Sequence, residues 1–318
     1  MACTLRGHAV LAFYKESWYF WVQVLHGKAG GQAVSISWYP GHMAKAKRLL
    51  GEQLAHTDVV VEICDARLPL SSRNPDLDTL VQFKKRVLLL NKADLSDPQA
   101  NKQWLAYFRS QNLSTMALDA HQNAQAVFPL IESAAREKLE NARKRGIQKT
   151  VRAMIVGVPN VGKSTMINLM KGKSTIKTED RPGVTRSTTW FKVTPYLELM
   201  DSPGLLWPRI SDPLVARRLA YIGSIRDQIH DAFHLAIALL EDLLDSHESL
   251  VLSRFKLSDA SLRGQALMEA VCQSRGYLLR AGELDLERAA TAVLDEFRSG
   301  KIGRISLELP PVQLTDER

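Results

Sequence analysis

Residues 157–164 spell Gly-Val-Pro-Asn-Val-Gly-Lys-Ser, directly after the apolar run Ala153-Met154-Ile155-Val156. The pattern G-x-x-x-x-G-K-[ST] between a strand and a helix is a phosphate-binding loop. It confines the chain to an α/β sheet with that loop at a strand end. A second string, Asn91-Lys92-Ala93-Asp94, closes the apolar run Val87-Leu88-Leu89-Leu90 and reads as N-K-x-D, a guanine-selecting pattern. In the ordinary order the phosphate loop comes first and N-K-x-D comes late. Here N-K-x-D leads, followed by the phosphate loop, Pro182-Gly183-Val184-Thr185, and Asp201-Ser202-Pro203-Gly204. The parts are complete and their order is circularly permuted.

Periodicity predicts the remaining elements. Residues 43–56 carry Ala46, Leu49, Leu50 and Leu54 on one helical face, with Lys45, Lys47 and Arg48 on the other. Residues 58–65 are apolar enough for a strand in a buried parallel sheet, and 86–91, 115–118 and 151–157 read as further strands. Residues 98–111 and 124–145 read as helices, and 188–193 and 197–200 as an antiparallel pair. Beyond Pro208 only helical spacing recurs, over 214–225, 232–244, 261–274 and 285–299. The expected fold is a doubly wound, mostly parallel α/β domain over 35–211, followed by a small all-helical domain over 212–318. Residues 1–34 are read as an extension outside the fold. They cluster Trp18, Tyr19, Phe20 and Trp21, and Glu16 is their one acidic residue. A mitochondrial presequence is also acid-poor, but few Arg and Ser residues here argue against one.

The motif residues have distinct chemical tasks. Gly157 and Gly162 let backbone N–H groups wrap a β-phosphate, the backbone of Val161 among them. Lys163 brings a positive charge to the β- and γ-phosphates, and Ser164, with Thr165 beside it, opens a helix whose N-terminus favours anions. Ser164 and Thr185 are the expected Mg²⁺ ligands, with Asp201 behind them; Gly204 offers its N–H to the γ-phosphate. Asp94 accepts from guanine N1–H and the 2-amine, a donor pair adenine lacks. Asn91 is expected to tie this loop to the phosphate loop, the Lys92 stem to cover the base, and Ala93 to line the loop. Asp119-Ala120 ends the third strand, where a base-closing loop belongs. After Gly204, where many GTPases carry a water-orienting Gln, this chain has Leu205 and Leu206.

Charge separates the amino-terminal two-thirds of the chain from the rest. Residues 1–211 hold 29 Lys+Arg against 17 Asp+Glu, while 212–318 hold 13 against 17. The basic excess therefore accompanies the nucleotide motifs and suits a polyanion such as RNA, or a merely solvated basic surface. Arg136, Lys138, Arg143, Lys144, Arg145, Lys149 and Arg152 concentrate it around one helix end, again either a solvated face or a phosphate-backbone contact. Three cysteines, Cys3, Cys64 and Cys272, match no metal-ligand spacing and are expected reduced and mostly buried. No run approaches 18 apolar residues, so no membrane insertion is expected.

Together these residues resemble the ribosome biogenesis GTPase A family, permuted GTPases with a hydrophobic residue in place of the catalytic Gln. The likeness also takes in Trp38-Tyr39-Pro40-Gly41-His42-Met43-Ala44-Lys45, Asp65-Ala66-Arg67-Leu68-Pro69-Leu70-Ser71-Ser72-Arg73-Asn74-Pro75, Leu205-Leu206-Trp207-Pro208 and Lys301-Ile302-Gly303-Arg304-Ile305-Ser306. The chain departs from the family in its first 34 residues and at Asp119-Ala120, where Ser or Asn is common. The resemblance implies a GTPase, slow alone, that binds the immature large ribosomal subunit, its rRNA and its ribosomal proteins, late in assembly. It implies stimulation by the particle and rRNA contact through the helical domain. It maps the proposed action on the attacking water onto His42, and a K⁺ beside the phosphates onto Asn160. A cytoplasmic, ribosome-associated monomer is the expectation. A nucleotide-gated RNA scaffold with incidental hydrolysis, or a GTPase acting on another RNA, is the alternative.

Overall fold

The computed structural model describes residues 36–37, 40–171, 190–202, 206, 209–225, 232–280 and 282–311. The extension assigned to residues 1–34 lies outside them. The chain forms two compact units.

The first unit spans the described part of Tyr39–Trp207 and, returning late, residues 303–311. Its sheet runs β4 (Ser114–Leu118), β3 (Lys85–Asn91), β2 (Val59–Asp65), β5 (Val151–Val156), β7 (Leu197–Asp201), β6 (Trp190–Thr194). All ladders are parallel except β6 against β7. Every residue of β2 is buried, which is why its sequence is a near-continuous apolar run rather than an alternating one. Helix α1 (Pro40–Ala55) lays Leu50 and Leu54 on Val60, Met154, Val156 and Met200. Helix α2 (Pro75–Leu80), which periodicity did not predict, starts with Pro75 behind the Asn74 cap and adds Leu77 to that cluster.

On the other face, helix α3 (Pro98–Ser110) stacks Trp104 on Phe108 against Cys64, Leu88 and Leu90. Asp97 caps it by accepting from Gln99 N at 2.7 Å, with Pro98 supplying a preset φ. Trp104 is fully buried, so its truncation to Ala costs roughly 3–5 kcal/mol. The helix expected over 124–145 opens as one turn of 3₁₀ helix (Ala124–Ala126) and continues as α5 (Val127–Lys144), and a short helix that periodicity did not predict, α4 (Ala120–Asn123), precedes it. Asp119 starts the new piece by capping His121 N at 2.9 Å. Helix α6 (Lys163–Lys171) follows the phosphate loop.

The second unit pairs Ile36–Ser37 (β1) with Arg209–Ile210 (β8) and continues through α7 (Pro213–Tyr221), α8 (Ala232–Phe255), α9 (Gly264–Arg275) and α10 (Leu286–Arg298). Helix α8 runs past the predicted end at 244 and bends at His247, whose φ/ψ of −142/42 is non-helical. Asp242 takes Arg217 at 3.1 Å and the Tyr221 hydroxyl at 2.8 Å. Sequence periodicity assigned all of 212–318 to this unit. Residues 303–311 instead pack on the first, because their backbone meets Leu95 and Arg67 there. No helix among the described residues is long and apolar enough to cross a membrane.

Candidate functional site

Three parallel strands end side by side and carry the site: β3 with residues 91–94, β2 with Asp65, and β5 with the phosphate loop. Permutation has moved these pieces along the chain without changing which strands are neighbours. The carboxyl edge of a doubly wound sheet is where ligands bind.

Asn91 is buried at the tip of β3. Its Nδ2 donates to Val161 O at 2.8 Å, and its Oδ1 accepts from Ala120 N at 3.2 Å. One side chain therefore holds the phosphate loop and the 119–120 turn together. Ala93 N donates to Leu118 O at 3.1 Å, which fixes the same turn from its other side. Lys92 sits at φ 60 and reaches across to Asn160 O at 2.7 Å and Asp65 Oδ2 at 3.1 Å. Asp94 is half-buried, and its carboxylate has no partner among the described residues. It is thus available to a ligand.

Asp65 and Arg67 were quoted in the sequence without a task, and the structure supplies one. Arg67 donates Nε and Nη2 to the Asp65 carboxylate at 2.9 and 2.8 Å, both residues being fully buried. Burial alone raises the Asp65 pKa; the Arg67 guanidinium and the Lys92 ammonium overcome that and hold it well below the carboxylate range. Asp65 stays ionised and anchors Lys92.

The phosphate loop is tightly built. A Cβ at Gly157 would lie 2.4 Å from Ile63 O, and one at Gly162 would lie 2.4 Å from Asn91 Nδ2. Both glycines have positive φ, 154 and 95. Asn160 is exposed at the loop tip with φ 62. Lys163 is buried, and its Nζ donates to Val158 O at 2.7 Å. Burial pushes its ammonium down to about 8, with Asp201 pulling the other way. Thr165 and Ser164 are exposed on the first turn of α6.

Ser164 Oγ lies 3.5 Å from Asp201 Oδ2, and Asp201 Oδ1 is buried without a hydrogen-bond partner. Burial raises the Asp201 pKa against the pull of Lys163. A hydroxyl beside a carboxylate with an unused oxygen is a hard-oxygen donor pair of the kind Mg²⁺ takes, so these residues fit that ion. No group of three or more His, Cys, Asp or Glu suited to a metal occurs among the described residues. Thr185 and Gly204 lie outside the described residues. His42 falls on the backbone of α1, and its side chain is likewise outside them.

The basic run is partly neutralised within the fold. Lys138 and Lys149 both pair with Asp58, and Arg152 with Glu198 at 2.9 Å. The groove of about 810 Å³ that they line lies at the amino-terminal edge of the sheet, away from the nucleotide motifs.

A family model described as a 50S ribosome-binding GTPase matches residues 152–256. That match begins on β5 and leaves residues 91–94 on its amino-terminal side, as the permuted order requires. Ribosome biogenesis GTPase A of Bacillus cereus is 40% identical over 278 residues, which cover 86% of this chain and 94% of that protein. The chain belongs to the ribosome biogenesis GTPase A family. The family member from Thermotoga maritima is 31% identical over 89% of this chain and 99% of its own length. The GNP-bound structure of YlqF from T. maritima superposes with a TM-score of 0.60 at 26% identity, over 84% of this chain and 98% of that one. As a family member, the chain is a GTP-binding, GTP-hydrolysing enzyme with the circularly permuted P-loop fold.

Proposed function

We propose that this GTPase acts as a timing switch on the large ribosomal subunit late in its assembly, and that it engages rRNA and ribosomal proteins of the precursor particle. The observation that carries the nucleotide half of this reading is Asn91 joining the base-reading loop to the phosphate loop. The ribosomal half rests on relatives named for ribosome biogenesis.

In this scheme Asp94 takes the guanine edge and Lys92 covers the base. Backbone N–H groups of Val161, Gly162, Lys163 and Ser164 wrap the phosphates, with the Lys163 ammonium among them. Ser164 and Thr185 would hold Mg²⁺ with Asp201 behind, and the ion would supply neutralisation of phosphate charge. Thr185 and Gly204 sense the γ-phosphate, so the loops that carry them are held in the GTP state and released after hydrolysis. Leu205 offers the attacking water no hydrogen bond. His42 takes over its positioning, and an oxygen of Asn160 offers a place for K⁺ beside the phosphates. The protein works at the ribosomal particle in the cytoplasm as a monomer. Residues 1–34 are dispensable for this activity, and the helical segment after 212 contributes to rRNA contact.

Sedimentation of the tagged chain with precursor large subunits, under GDP and under a non-hydrolysable GTP analogue, tests the ribosomal half. Tighter association under the analogue is expected; equal or absent association in both rejects the switch. Single-turnover hydrolysis on particles, in K⁺ and in Na⁺, tests the chemistry. His42→Ala is expected to lower the stimulated rate by roughly 10²–10⁴-fold with little change in GTP affinity. An unchanged stimulated rate in K⁺ removes His42 from the mechanism.

A further inference from the structure

After α10 the chain crosses back to the nucleotide unit and is stitched along its base-reading side. Ile305 N donates to Leu95 O at 2.9 Å, and Leu307 N to Arg67 O at 3.0 Å. The Ser306 hydroxyl accepts from Asp97 N at 3.1 Å. Trp104 Nε1 donates to Glu308 O at 3.0 Å. The buried Glu308 carboxylate accepts from Leu70 N at 2.8 Å, from Ser71 N, and from the Ser71 hydroxyl. Within this strap, Arg304 donates Nε to Asp94 O at 3.0 Å and Nη2 to Ala93 O at 3.5 Å.

The carbonyl of Ala93 has further donors in Ser96 Oγ and Asn101 Nδ2, at 3.2 and 3.3 Å. The carbonyl of Asp94 has Arg304 alone among the described residues. The Asp94 carboxylate itself has no partner there, so its direction is set by how its backbone is held. We infer that Arg304 is a positioning residue for base recognition: by fixing the Asp94 carbonyl it aims the Asp94 carboxylate at both guanine donors. The inference rests on Asp94 being the guanine reader.

A charge-assisted hydrogen bond from guanidinium to carbonyl is geometrically specific, and Lys cannot reproduce its two-pronged form. Loss of aim matters most to the ligand that uses both carboxylate oxygens. Guanine offers N1–H and the 2-amine; hypoxanthine, the base of ITP, offers N1–H alone. Removing Arg304 should therefore weaken GTP more than ITP. A merely structural loss would weaken both equally.

The experiment measures dissociation constants of GTP, ITP and ATP with Mg²⁺ for the full chain, Arg304→Ala and Arg304→Lys, with Leu309→Ala as an exposed control in the same strap. Arg304→Ala is expected to weaken GTP roughly 3- to 10-fold and to narrow the GTP-to-ITP ratio. Arg304→Lys should recover part of that ratio and Leu309→Ala all of it. The loss should fall in KM rather than in turnover at saturating GTP. Thermal unfolding of each variant reports its fold, and the Lys variant carries the test if the Ala variant is unstable. An unchanged GTP-to-ITP ratio, or an equal loss for GTP and ITP, overturns the role of Arg304. Equal binding of ATP and GTP by the unmodified chain overturns the reading of Asp94 instead.

Discussion

The side-chain amide of Asn91 donates to the backbone carbonyl of Val161 across 2.8 Å. Two loops far apart in sequence thus share one buried hydrogen bond. Its loss would leave a buried amide unsatisfied, at a cost of roughly 1–3 kcal/mol.

Gly162→Ala tests that junction. The new Cβ would lie 2.4 Å from Asn91 Nδ2, at a φ of 95 that suits only glycine. Asn91 is held from both ends and has no easy retreat. GTP and GDP affinity should both fall at least roughly tenfold, a loss of about 1.4 kcal/mol or more. Titration with a fluorescent guanine nucleotide measures it, and near-normal binding would show that the loop tolerates the shift.

Asp94→Asn should exchange the base preference. The Asn amide donates where the carboxylate accepted, so the 2-oxo group of xanthine becomes the better partner. GTP binding should weaken by roughly 10²-fold or more, since the site is left with a mismatched polar pair. Competition among GTP, XTP and ATP reads the outcome; a variant that keeps preferring GTP would contradict the assignment.

Lys163 predicts a pH dependence. Its folded pKa, about 8, lies below the ordinary 10.5 because burial penalises the charge. Between those values the unfolded chain holds a proton that the folded one has lost, so the nucleotide-free domain gains stability as pH rises through that window. Phosphates favour the charged form, so binding above about 8 must take up a proton. Affinity should then fall toward roughly tenfold per pH unit above that point. Calorimetry in two buffers of different ionisation enthalpy measures the uptake; none at about pH 9 would mean that Lys163 is already charged in the free protein.

Asp65→Asn should destabilise the nucleotide unit by roughly 3–5 kcal/mol, because it strands the buried Arg67 guanidinium. The stability that Asp65 contributes is present above the ordinary carboxylate range and is lost as pH falls below it, because its folded pKa is depressed. Urea unfolding of the full chain at neutral and acid pH tests both statements. The difference between variant and parent should shrink toward low pH.

Strand identity was legible because β2, β3 and β5 are buried on both faces and therefore spelled as apolar runs. The phosphate loop was legible because its glycines answer a local need: a Cβ at Gly157 or Gly162 would come within 2.4 Å of Ile63 O or Asn91 Nδ2. The short helix α4 was hidden because it is only four residues long, too short for a periodic signal. Helix α2 was too short for periodicity to show. The task of Asp65 needed the register that sets β2 between β3 and β5. The strap was hardest to foresee: residues 303–309 follow a helix in sequence, yet their partners lie more than two hundred positions earlier. Nothing in local composition points that far.

The strand order has a consequence for how the molecule is made. Chains emerge amino terminus first, and early segments pair before later ones exist. Strands β2, β3 and β4 are consecutive in sequence and adjacent in the sheet, so the segment that carries residues 91–94 is translated before the phosphate-loop segment that follows β5. In the unpermuted order the phosphate loop comes first. The phosphate loop can join residues 91–94 only once β5 has been made and slots beside β2, and the strap, which belongs to the nucleotide unit, is made only after the helices of the second unit.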